Sequence, residues 1–99
     1  MFQKQKPWRS EPYLDFVRSL PPVDNNPHIE GERSVAHHLI GVGGLSGVGM
    51  KAPDYMTMPM TVKGHAEMHD NPELWTGQWQ MICRTIGAAI DAGKLQWRK

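Results

Sequence analysis

Cysteine is almost missing: Cys83 is the only one in 99 residues. The chain therefore cannot close a disulfide within itself, and a reducing cytoplasm is its expected setting. An excess of charge of one sign is missing too. Eleven Lys and Arg against ten Asp and Glu leave +1, so net charge says little about partners. No apolar run approaches the roughly 18 residues of a membrane helix, and the opening MFQKQKPWRS lacks the apolar stretch of a secretory signal. A membrane partner is not expected. Ninety-nine residues suffice for one small domain and not for two cores. At that size apolar burial alone gives marginal stability, so a bound metal or a partner subunit would help.

What is present is a loop-rich globular composition: 39% hydrophobic, with ten Gly, eight Pro and seven Met, and no internal repeat. Residues 1–10 read as a basic tail carrying Lys4, Lys6, Trp8 and Arg9, residues 11–93 as one domain, and residues 94–99 as a second basic tail with Trp97. Basic ends with an aromatic can grip a phosphate backbone and stack on bases, although two solvated termini are the plainer alternative.

Within the domain, Glu11 to Leu20 predicts a helix with Leu14, Phe16, Val17 and Leu20 as a partial stripe and Pro12 in its first turn. Pro21-Pro22 ends it, and Asp24-Asn25-Asn26-Pro27 reads as a turn. Ser34–Ile40 (SVAHHLI) is short and β-rich, a strand. Gly41–Gly49 holds five glycines in nine residues and must be irregular. It lacks the Gly-Lys-Ser/Thr ending of a phosphate-binding loop, so it reads as a connection rather than a nucleotide cradle. Thr57–Met60 is a second strand, weakened by Pro59. Thr61 can cap a helix that Asn71-Pro72 ends. From Pro72 to Gly93, Leu74, Trp75, Met81, Ile82, Ile86, Ala89 and Ile90 recur at helical spacing, with Gly77 and Gly87 as weak points. The result is a small α+β domain whose irregular core draws on Met50, Met56, Met58, Met60 and Met68, with Cys83 as a small apolar residue.

The chemistry lies in the histidines. Four of five fall into two groups, His37-His38 and His65-x-x-x-His69; His28, after a proline, has no assigned role. Residues four apart share one helix face, so His65 and His69 can present two imidazoles to one ion. Neighbours on a strand point to opposite faces, so one of His37 and His38 can complete a three-nitrogen site while the other is left to take a proton. Three imidazoles favour Zn²⁺, Ni²⁺, Co²⁺ or Mn²⁺, with Mg²⁺ least suited. Three ligands leave the ion open to water or a phosphate oxygen.

The segments AHHLIG (36–41), KAPDYMTMPM (51–60) and GHAEMH (64–69) resemble the HNH, or ββα-metal, nuclease superfamily. The closing pair of helical histidines is similar to that of the DNase colicins. The order of YLDFVRSLP, AHH, a Gly-rich stretch and Lys-x-x-Asp is similar to small phage and prophage HNH proteins, including the recombination-enhancement nucleases of temperate phages. This resemblance, over residues 11–75, implies a ββα-metal core flanked by a short N-terminal and a C-terminal helix. It implies His37, His65 and His69 as ligands of one divalent ion and His38 as general base. Asp54 stands where the motif has Asn and would brace the loop through backbone N–H groups, while Lys51, with Lys4, Lys6 and Arg9, would contact the DNA backbone. The implied activity is metal-dependent DNA cleavage in the bacterial host cytoplasm, in phage recombination, replication or packaging, with a recombinase filament or another phage protein as a further partner. A metal-stabilised binding module without activity is the alternative. Two departures stand out. The cysteine knuckle of many relatives would fall at Pro22, Asn25, Thr61 and Gly64, none a good zinc ligand, so its stabilising role is expected to pass to packing by the C-terminal tryptophans. The motif Asn has no counterpart beyond Asp54.

Overall fold

The computed structural model describes residues 8–27, 29–41 and 51–95. Lys4, Lys6, His28, Met50, Trp97 and all of the glycine loop but Gly41 lie outside the described residues. The architecture is α+β: helix α1 (Glu11–Ser19), strand β1 (Val35–His38), strand β2 (Thr57–Met60), helix α2 (Val62–Asp70), a 3-10 helix (Pro72–Gly77) and helix α3 (Gln78–Asp91).

Local signals account for the ends of these elements. Ser10 caps α1 by accepting the Tyr13 N–H, and Pro12 occupies the first turn, where a missing N–H costs nothing. Thr61 caps α2 by accepting the Gly64 N–H at 2.9 Å. The C-terminal helix is not continuous. Residues 72–77 form a tighter 3-10 turn and the α-helix begins only at Gln78, so Gly77 marks a real break while Gly87 is carried through.

β1 and β2 form an antiparallel pair with Val35 opposite Met60, Ala36 opposite Pro59, His37 opposite Met58 and His38 opposite Thr57. Just past β1, the Leu39 N–H donates to the Met56 carbonyl at 3.0 Å, which fixes the alternation of the ladder. Pro59 then falls in a non-hydrogen-bonded pair, where its absent N–H would have pointed away from β1. Its outward carbonyl instead accepts the Val23 N–H at 2.9 Å. Pro59 therefore fits the strand it was expected to weaken.

Two apolar clusters cover the sheet. Leu39, Ala52, Met58, Met60, Met68 and Ile82 form the larger, with Trp75 and Met81 packed against it. Tyr13, Val17 and Ala89 form the smaller, against Ala36, Phe16 and Leu95. Since alternate residues of β1 face opposite ways, the α1 side receives Ala36 and the other side receives His37 and Leu39. Gly41 follows at φ +81°, and a Cβ there would sit inside the Trp75 ring, so glycine is required twice over.

The folded part is wider than residues 11–93. The Trp8 carbonyl accepts the Asp54 N–H at 2.9 Å and Trp8 packs edge-on against Tyr13, while Leu95 joins the Tyr13 cluster. No helix among the described residues is long and apolar enough to cross a membrane.

The segment following α1 is held by one carboxylate. Asp24 accepts the Thr61 N–H and the Thr61 hydroxyl, each at 2.7 Å, and the Asn26 side-chain amide at 2.9 Å. Gly64 lies against that carboxylate so closely that a Cβ would collide with it. The stretch that would have carried knuckle cysteines is thus tied to the start of α2 by hydrogen bonds. Trp75 contributes elsewhere: it stacks over Gly41 and donates its indole N–H to the Met68 carbonyl at 2.8 Å.

Candidate metal centre

β1 and α2 bring three histidines together. His37 comes from the third position of β1; His65 and His69 come from one face of α2, as their spacing required. One ring nitrogen from each lies within 4.8 Å of the others. The rings stand nearly perpendicular to one another, at 76°, 70° and 76°, with centroids 4.7 to 5.4 Å apart. In each pair the rings meet edge-on, and His37 Nδ1 and His65 Nδ1 approach to 2.7 Å. Burial is graded: His37 is fully buried, His65 half-buried and His69 exposed, so the cluster opens to solvent on the His69 side.

Electrostatics favour the neutral, ligating form. Burial, followed by the charge of His65, holds His37 down to about 4, against a hydrogen bond to Gln78 that works the other way. Burial, then the charge of His69, lowers His65 as well. His37 and His65 are thereby held toward the neutral form that binds a transition metal, and the three-imidazole donor set fits such an ion.

His38 is not part of this cluster. It lies on the other face of β1, where its Nε2 meets Asp54 Oδ1 at 2.8 Å. It is still near enough that its charge acts on both His37 and His65. Asp54 is 3% exposed and also accepts the Ser10 N–H at 2.7 Å and an Arg9 N–H at 3.0 Å. Burial pushes its pKa up, but the hydrogen bonds from His38, Ser10 and Arg9 outweigh that and leave it below the ordinary carboxylate range. Among the described residues, the backbone N–H that the Asp54 side chain accepts is that of Ser10, before α1, and its side-chain partners are His38 and Arg9.

Around this pair is an open cleft of about 280 Å³ lined by Arg9, Ser10, Glu11, Leu14, His38, Lys51 and Asp54. Arg9 is no free tail residue. Its guanidinium donates to the carbonyls of Ala52 and Lys51 as well as to Asp54, leaving one face to solvent. Lys51 is exposed at the rim.

One residue of the site carries only a faint sequence signal. Gln78 is fully buried at the start of α3, and its Oε1 lies 3.3 Å from His37 Nε2. A glutamine among the apolar positions of a helix hints at burial with a polar task, but nothing local ties it to a histidine 41 residues away.

The fold and the cluster define a small α+β protein with a three-histidine site. The chain belongs to the family described as a protein of unknown function, DUF968, whose family model matches residues 2–93. It is 30% identical over 102 aligned residues to the uncharacterized protein YdfU of Escherichia coli (strain K12). That match covers 93% of this chain and 26% of the relative, so the chain spans about a quarter of the length of the curated relative it matches. No solved structure matches it.

Proposed function

We propose that the protein is a metal-dependent DNA endonuclease of the HNH class, hydrolysing phosphodiester bonds. The observation that carries this reading is the pairing of two sites across one strand: three ring nitrogens within 4.8 Å of one another, and beside them His38 held by Asp54. A divalent ion held by His37, His65 and His69 would supply Lewis-acid charge to the phosphate oxygens.

The remaining steps fall to the chain itself. Asp54, ionised and buried, accepts the Nε2–H of His38 and so leaves the Nδ1 lone pair as the basic nitrogen. His38 Nδ1 takes a proton from the attacking water as its oxygen bonds to phosphorus. The P–O bond to the leaving sugar oxygen breaks, and that oxygen is protonated from solvent. Arg9 and Lys51 stand on the rim of the same cleft, where the DNA backbone would lie. A phage setting, and a recombinase filament or other phage protein as partner, rest only on the resemblance of residues 11–75 to small phage and prophage HNH proteins.

A second reading is favoured by one observation: His38 sits on the face of β1 opposite the metal cluster, already engaged by Asp54. The ion would then serve folding only, in a DNA- or protein-binding module. Plasmid nicking with Mg²⁺, Mn²⁺, Ni²⁺ and Zn²⁺ separates the two. For the nuclease, wild type nicks with at least one of them, and His38→Ala loses about 10²-fold or more while still binding metal. Equal nicking by both proteins removes His38 from the mechanism, and no nicking with any ion supports the module.

A further inference from the structure

Gln78 has four hydrogen-bonding partners, and together they fix which way its amide points. Its Nε2 lies 2.9 Å from the Ile40 carbonyl and 3.1 Å from the Trp75 carbonyl, and its Oε1 lies 3.0 Å from the Ile40 N–H. Turning the amide over would set its oxygen against two carbonyl oxygens and its NH₂ against an N–H. The backbone of Ile40, offering one donor and one acceptor side by side, admits only the first arrangement. The oxygen therefore faces His37 Nε2, 3.3 Å away. A carbonyl oxygen can only accept, so His37 Nε2 carries the hydrogen. In the neutral ring the lone pair must then be on Nδ1, the atom that lies 2.7 Å from His65 Nδ1 at the centre of the cluster.

We infer that Gln78 is a positioning residue of the metal site: it presets His37 as an Nδ1 ligand by holding the opposite nitrogen protonated. Oriented this way, His37 needs neither a tautomer change nor a ring flip on binding, and its basicity rises because its other N–H is donated. The same amide bridges the exit of β1 at Ile40 to Trp75 just before α3, so the ligand's orientation is tied to the start of that helix. The link to metal affinity rests on the metal reading above; the tautomer itself does not.

Two variants separate positioning from mere support. Gln78→Met and Gln78→Glu both lose the donations to the Ile40 and Trp75 carbonyls, and Gln78→Glu in addition sets an oxygen against those carbonyls, so its packing damage is at least as large. Only Gln78→Glu keeps an acceptor facing His37 Nε2. Nitrogen-15 NMR of the metal-free proteins reads the imidazole tautomer directly, and titration with Co²⁺ reads affinity and the visible ligand-field band. The expected result is Nε2–H at His37 in wild type and Gln78→Glu, and a mixture in Gln78→Met. Co²⁺ affinity should fall about 10- to 100-fold in Gln78→Met, with a shifted band, and stay within a few-fold in Gln78→Glu. Finding Nδ1–H at His37 in wild type, or equal losses of affinity in the two variants, overturns the assignment. If wild type binds no Co²⁺, the metal reading fails, yet the wild-type tautomer still decides whether Gln78 holds His37. That measurement needs neither variant to fold.

Discussion

Asp54 and His38, sixteen residues apart, meet at 2.8 Å with the carboxylate buried and the imidazole at the edge of a cleft. Their contact gives His38 a defined orientation, and it joins three stretches of chain: Asp54 also holds Ser10 and Arg9 from the segment before α1. Replacing the carboxylate therefore acts on chemistry and stability by separate routes.

Asp54→Asn keeps the shape but cannot accept at every oxygen site, so an amide N–H will oppose a donor. Nicking should fall about 10²-fold. Stability should fall by about 1–3 kcal/mol through the unpaired donors, with little of that from the Arg9 ion pair, whose guanidinium side is 45% exposed. Single-turnover nicking and urea unfolding measure the two effects. Metal affinity should stay unchanged, since Asp54 touches none of the three ligand histidines.

Two helical glycines should respond in opposite directions. In an unobstructed helix interior Gly→Ala stabilises by about 0.5–1 kcal/mol, and Gly87 has open space around it, so Gly87→Ala should gain that much. Gly64→Ala should lose about 1–3 kcal/mol, because the new Cβ meets an Asp24 carboxylate that three donor groups hold in place. Urea midpoints of the two variants against wild type settle both signs.

Asp24 also sets an acid limit. Burial raises its pKa, but the hydrogen bonds from Thr61 and Asn26 prevail and bring it below 3.8. A carboxyl whose folded value is depressed stabilises fully above its unfolded value, and the gain is lost as pH falls through the folded one. The stability difference between wild type and Asp24→Asn should therefore be constant above about pH 5 and shrink below pH 4. A difference that persists unchanged at the acid end would show that the charge of Asp24 contributes nothing.

Much of this arrangement could be read from the chain because its signals are local. Thr61 before α2, the four-residue spacing of His65 and His69, and the β-rich stretch around His37-His38 each carry their meaning within a few residues. What escaped is held by tertiary contacts. Asp24 reads as a turn residue until Thr61 and Gly64 arrive from elsewhere in the chain, and Arg9 reads as a tail charge until Asp54 binds it. Gln78 looks like a helix position until Ile40 and His37 surround it. Pro59 reads as a strand-weakening residue because its pairing partner, which decides whether its N–H is needed, cannot be seen locally.

Whether His37, His65 and His69 hold one ion is read out by zinc titration in a calorimeter. Wild type should bind a single ion, and His37→Ala and His65→Ala should each lose the tight binding, with chelation lowering the melting temperature of wild type alone. Zinc bound equally well by wild type and by both variants, or by none of them, would contradict it.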